Sequence, residues 1–76
     1  MITVAALSPS LDLTYLVDTL AVGRIHRTAE PIAVAGGKAL NMARAARSMG
    51  AECLAVALLG GPTGRQIAEL MADEGL

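Results

Sequence analysis

"VAGGKALNMARAARSMG", residues 34–50, is the stretch on which the reading of this chain turns. Two glycines, Gly36 and Gly37, interrupt a run of small apolar residues, and a cation follows at Lys38. From 39 to 49 the apolar residues recur at helical spacing, and Gly50 ends the pattern. The predicted helix therefore begins on two glycines, without the Ser, Thr, Asp or Asn that commonly caps a first turn. It also carries a lysine where the helix dipole is already positive, a placement that costs roughly 0.3–1 kcal/mol. A compensating partner is expected outside the helix.

Working outward, residues 2–7 are apolar and rich in β-formers, which predicts a strand buried on both faces, closed by the loop Ser8-Pro9-Ser10. Between 11 and 35 the texture loosens. Leu13, Tyr15 and Val17 alternate with Asp12, Thr14, Leu16 and Asp18, Gly23 reads as a turn, and 25–28 and 32–34 read as two further short strands. The segment is predicted to be a small, half-exposed antiparallel excursion. Downstream, "AECLAVALLG" predicts a second strand apolar on both faces, and "GGPTG" a loop. Thr63 and Gln66 have capping-box spacing to open a second helix. Its apolar face is Ile67, Leu70 and Met71, its polar face Arg65, Gln66, Glu69 and Asp73, and Gly75 is its stop.

Strand, excursion, helix, strand, helix is an α/β order, with a right-handed crossover between parallel strands. Strands this apolar need helices on both faces, and two helices cannot supply them. The chain is therefore expected to be the front of a larger domain rather than a complete 76-residue fold.

Composition narrows the function classes. The chain is 54% hydrophobic with Tyr15 as its one aromatic residue, and six basic residues face seven acidic ones. No basic stripe or aromatic platform supports nucleic-acid binding. The longest apolar run, 53–59, is seven residues, far short of a membrane span. The first ten residues lack a basic n-region and a cleavage-like end, so a signal peptide is not expected. A single cysteine excludes an internal disulfide and fits a reducing cytoplasm, with Cys53 read as an inert core thiol. His26 has no metal-ligand spacing and is expected to be an exposed hairpin residue. The carboxylates form no catalytic pair. A phosphate-binding P-loop fails as well, because Ile32 and Ala39 stand where its first Gly and its Ser or Thr belong.

Glycine lets backbone N–H groups approach a ligand without a Cβ in the way, and at a helix start those groups lack intrahelical partners. Gly36, Gly37 and Lys38 therefore suit a polar, anionic small molecule, with the Lys38 ammonium reaching the same oxygens. Asn41, one turn on, can face the same ligand. On spacing alone a second reading stands beside this one: a tight strand-to-helix turn, with Lys38 and Asn41 in solvent.

Three motifs in register resemble one family. "GGKALNMAR" is similar to the amino-terminal signature of the PfkB, or ribokinase-like, carbohydrate kinases. "SPSLDLTY" resembles the Asn-Pro-Ala-Leu-Asp segment of their phosphofructokinase-like branch, and "LGGPTG" its Gly-Gly-x-Thr-Gly loop. The resemblance covers essentially the whole chain. It implies the N-terminal part of a three-layer α/β/α fold, with residues 11–35 as a small β lid over the sugar and a homodimer contact through that lid. It implies a kinase that moves the γ-phosphoryl of ATP to a hydroxyl of a phosphorylated ketohexose, as in 1-phosphofructokinase, tagatose-6-phosphate kinase or 6-phosphofructokinase.

By position, the resemblance gives Asp12 the role of accepting hydrogen bonds from sugar hydroxyls. Gly36, Gly37 and Asn41 line the sugar, and Lys38 contacts the sugar or its phosphate. Arg27 at the lid, and Arg24 beside it, are candidates for phosphate contact. Ser8 and Ser10 depart from the family's usual Asn and Ala, and Ala39 from its Gly, which bears on which sugar fits. The family's Gly-Ala-Gly-Asp segment, its catalytic base and its ATP and Mg2+ sites are expected outside these residues, which alone should be inactive and hold no metal. The rivals are a kinase of an unphosphorylated sugar or nucleoside, and a non-catalytic module that dimerises or binds a partner through the hairpin.

Overall fold

The computed structural model describes residues 1–76. Strand β1 (Ile2–Ala6) and strand β4 (Cys53–Ala57) pair in parallel, Ile2 opposite Cys53 and Ala6 opposite Ala57. The pairing is extended at both ends, by Ile2 N–H to the Glu52 carbonyl (2.8 Å) and Leu58 N–H to the Ala6 carbonyl (3.1 Å). Strands β2 (Ser10–Thr14) and β3 (Ile32–Gly36) form a separate antiparallel pair, with Ser10 opposite Gly36 and Asp12 opposite Val34. Helix α1 (Lys38–Ser48) lies on β1 and β4, and α2 (Gly61–Glu74) on β2 and β3. A fold of the α/β class with a small antiparallel pair inserted after its first strand is what the sequence order predicts.

Local chemistry explains the elements. Helix α1 buries Leu40, Ala43 and Ala46, and α2 buries Gly64, Ile67 and Met71, each set at helical spacing. Both helices stop on a left-handed glycine, Gly50 (φ 88) and Gly75 (φ 82). The amides that follow fold back, Ala51 N–H to the Ala46 carbonyl and Leu76 N–H to the Met71 carbonyl, which occupies acceptors the helix end leaves free. The polar face predicted for α2 is exposed throughout, and Leu70 is half-buried beside Ile67 and Met71.

The core is one cluster of Ala6, Ala35, Leu40, Ile67 and Met71, with Leu40 fully enclosed. It joins both strand pairs through the two helices. Burial alternates along β1, where Val4 and Ala6 face inward. The opposite face of that sheet is open, with Leu54, Val56 and Leu58 all more than half exposed. This is the uncovered face that two helices could not reach.

Four local expectations are corrected. Residues 25–28 are not a strand, because nothing in the chain offers them a ladder partner, and the 15–31 stretch holds only a turn closed by Arg24 N–H to the Ala21 carbonyl (3.2 Å). Helix α2 starts before Thr63: its N-cap is Gly60, no side chain caps it, and Pro62 occupies the first turn. Proline there is pre-set for helix and its missing N–H costs nothing, so the capping box is never formed. His26 is half-buried rather than exposed, and its Nε2 accepts a 3.0 Å hydrogen bond from Ala21 N–H, closing the loop. Cys53, predicted as a core thiol, is half-buried at the start of β4.

Candidate functional site

The site forms where β3 runs into α1. In the β2–β3 register, Ser10, Asp12 and Gly36 share one face of the ladder, with Asp12 and Gly36 diagonal neighbours. Leu11 and Ala35 point the other way, into the core. The missing side chain at Gly36 is filled by the Asp12 carboxylate. A Cβ built at Gly36 would lie 2.7 Å from Asp12 Oδ1 and still closer to Cγ and Oδ2. Ser10 Oγ donates a 2.8 Å hydrogen bond to Oδ1, and Asp12 is otherwise exposed. One carboxylate oxygen is thus held by Ser10, and the other, packed over Gly36, accepts no hydrogen bond within the chain.

Gly37 is the N-cap of α1, with φ 99 and ψ 158. Only glycine adopts that region readily, and a Cβ would also sit 3.1 Å from the Ser8 carbonyl. Its carbonyl takes the first helical bond, from Asn41 N–H at 2.9 Å. The amides of Lys38, Ala39 and Leu40 precede that bond and have no intrahelical acceptor. No side chain caps them and the first turn holds no acid. Lys38 and Ala39 line a cleft of about 390 Å³ together with Ser8 and Gly37. Lys38 is exposed and forms no ion pair, so nothing within the chain offsets its position at the positive helix end.

Arg44, which the sequence reading passed over, is the hub of the surrounding polar contacts. Its Nη2 donates to the Ala35 carbonyl (2.7 Å) and to Glu74 Oε1 (2.8 Å), and its Nε pairs with Glu74 Oε2. Its Nη1 donates to Asn41 Oδ1 (2.9 Å). Asn41 is exposed one turn into α1. Arg47 adds a 2.7 Å bond to the Glu74 carbonyl. The hydrogen bond to Arg44 holds the Glu74 carboxyl below its ordinary value, against a smaller opposing effect of burial. The same bond raises Arg44, with Asp12 adding a weaker attraction.

Asp12, Gly36, Gly37 and Lys38 therefore converge on one strand-to-helix junction, with Asn41 one turn on. Arg27 does not join them. It is exposed and lines a larger concavity of about 450 Å³ with Asp18 and His26, which shares no residue with the cleft at Gly37. Arg24 is exposed at the turn.

The family model for the pfkB family carbohydrate kinases matches residues 3–76. This chain belongs to that family. Its structure is similar to phosphofructokinase-2 from Escherichia coli. Against that enzyme in complex with fructose-6-phosphate the identity is 32% and the TM-score 0.90, over 99% of this chain and 25% of the other. Against its tetrameric inhibited form the TM-score is 0.89, with the same identity and shares. A Staphylococcus aureus protein at 24% identity shares the fold, with a TM-score of 0.79 over 100% of this chain and 25% of its own. The chain thus spans about a quarter of the length of the structures it matches, and its strands and helices are those of a ribokinase-like fold.

The Arg44–Glu74 pair makes a prediction for this member of the pfkB family. Because the folded-state pKa of Glu74 is lowered, its stabilising effect is present above the ordinary carboxylate value of 4.5 and is lost as pH falls through the folded value. Glu74→Gln in the intact enzyme is expected to cost about 0.5–1 kcal/mol near pH 7, since the pair is partly exposed. The difference from wild type should vanish in acid. Denaturant titrations at several pH values check this.

Proposed function

We propose that these residues form the sugar-binding front of an ATP-dependent hexose-phosphate kinase, acting on a phosphorylated ketohexose. The observation that carries this reading is the exposed Asp12 carboxylate, packed over Gly36 with one oxygen unbonded within the chain, on the ladder that leads into the uncapped start of α1. A carboxylate accepts strongly from sugar hydroxyls because such bonds are charge-assisted. Helix amides and the Lys38 ammonium suit a phosphate or other acceptor oxygens. A further support is the similarity to an enzyme that has been solved with fructose-6-phosphate. Residues 11–35 act as the lid, with Arg27, and less directly Arg24, carried toward the phosphate when it closes.

Kinases of this family use ATP and Mg2+. No group of three or more His, Cys, Asp or Glu in this chain could hold a metal ion, and no P-loop pattern occurs. We assign the ATP and Mg2+ sites to parts of the intact enzyme other than these residues. What these residues contribute is positioning, which is most of what a protein supplies to phosphoryl transfer. The lid is also assigned as a contact between copies of the chain: Leu13, Tyr15 and Ile32 on it are exposed, and the Escherichia coli relative has a tetrameric form. No helix is long and apolar enough to cross a membrane. The single cysteine, Cys53, suits a reducing compartment, and on that ground we place the enzyme in the cytoplasm.

The test is a substrate panel on the intact enzyme with ATP and Mg2+: fructose 1-phosphate, fructose 6-phosphate, tagatose 6-phosphate, fructose and ribose. The best ketohexose phosphate should exceed the unphosphorylated sugars by about 10²-fold in kcat/KM, since two lost charge-assisted bonds are worth about 3 kcal/mol. Preference for fructose or ribose would replace this reading by a kinase of unphosphorylated sugars. Residues 1–76 alone should phosphorylate none of them above a blank.

A further inference from the structure

We infer that Arg44 is a positioning residue for the sugar site, holding the Asn41 amide so that its NH2 group faces the ligand and clamping the Ala35 carbonyl behind the glycine pair. The inference rests on the sugar-site reading above. Its basis is the juxtaposition of four acceptor oxygens on one guanidinium: Asn41 Oδ1 at 2.9 Å, the Ala35 carbonyl at 2.7 Å, and both oxygens of Glu74.

A guanidinium has five donors and no acceptor, so the Asn41 atom facing Nη1 must be the carbonyl oxygen. The amide is planar, and its NH2 group then points away from Arg44. Asn41 is exposed, so that group is available to a ligand. An asparagine left free could offer either end; this one is fixed as a donor. A donor there selects acceptor oxygens, such as a hydroxyl lone pair or a phosphate oxygen.

The second contact acts on the backbone. The Ala35 carbonyl belongs to the peptide that enters Gly36, and a peptide is planar. Holding that oxygen fixes the plane from which the Gly36–Gly37 turn departs. Glycines have the widest freedom of any residue, so a turn made of two of them gains most from an external clamp. Glu74, at the end of α2, closes the arrangement by opposing the Arg44 charge and holding the fork in place. Arg44 thereby ties the last residues of two other elements to the start of its own helix. A lysine could not do the same, because one ammonium lacks the fixed fork.

The test uses the intact enzyme, fructose 1-phosphate and fructose 6-phosphate as probes, and a double-mutant cycle on KM. Arg44→Ala should raise KM for the sugar phosphate about tenfold, with kcat and KM for ATP within about twofold. In an Asn41→Ala background the same change should have a smaller effect, about threefold, because only the clamp on the Ala35 carbonyl remains to be lost. A merely structural arginine would lower kcat and stability in both backgrounds alike. If Arg44→Ala does not yield folded protein, Arg44→Lys keeps the charge near Glu74 and should give the same rise in KM. Equal, independent losses in the two backgrounds would overturn the role of Arg44 alone. If Asn41→Ala and Asp12→Ala both leave the sugar KM unchanged, the underlying site reading fails, and this inference with it.

Discussion

Replacement Asp12→Ala in the intact enzyme is expected to lower kcat/KM for the sugar phosphate by about 10²–10⁴-fold, while KM for ATP stays within about twofold. The size follows from the chemistry of the group removed. A carboxylate that accepts from two sugar hydroxyls contributes two hydrogen bonds to a charged partner, each worth about 1.5–3 kcal/mol, and every 1.4 kcal/mol is a factor of ten. Asp12 is exposed and bonded within the chain only to Ser10, so its loss removes little that holds the fold. The protein should therefore unfold at a denaturant concentration close to that of wild type. Steady-state kinetics with each substrate varied in turn checks the prediction. Unchanged kcat/KM for the sugar removes Asp12 from the site.

Gly36→Ala should produce nearly the same kinetic defect without touching the carboxylate chemically. The three atoms nearest to an added methyl all belong to the Asp12 side chain, with Oδ1 at 2.7 Å and the other two closer. One of the two must move. The backbone at Gly36 is buried in the ladder, whereas Asp12 can swing into solvent, so the carboxylate gives way. The stability cost should stay below about 1–3 kcal/mol, the usual penalty for overpacking a well-packed site. Sugar use should fall about 10²-fold, and in an Asp12→Ala background the added loss should be small, since both changes empty the same position. Strictly additive losses would show that Gly36 acts for another reason, such as approach of the ligand to its backbone.

Much of the architecture was legible because hydrophobic period is a local property. The parallel strands, both helices and their glycine stops follow from patterns within a few residues of each element. The misreadings share a cause. Thr63 and Gln66 have the right spacing for a capping box, but Gly60 and Pro62 had already begun the helix upstream. Residues 25–28 look like a strand, yet a strand needs a partner, and pairing is decided at long range.

The site was legible in part, for a comparable reason. Gly36, Gly37, Lys38 and Asn41 lie within one six-residue stretch, and Asp12 stands out through its motif. That the Asp12 carboxylate occupies the space over Gly36 depends on a register that only the folded ladder fixes. Arg44 was invisible as a functional residue because its partners lie at 35, 41 and 74. On the helix it reads as an ordinary solvated cation. Its spacing of three from Asn41 was the one local signal, and such pairs are common on helices.

The most direct test of the account is a crystal structure of the intact enzyme with fructose 6-phosphate bound. The account predicts sugar hydroxyls within hydrogen-bond distance of the Asp12 carboxylate and ligand oxygens on the backbone amides at the start of α1, with the Asn41 NH2 turned toward them. A sugar phosphate bound elsewhere, with only water at Asp12 and the α1 start, would contradict it.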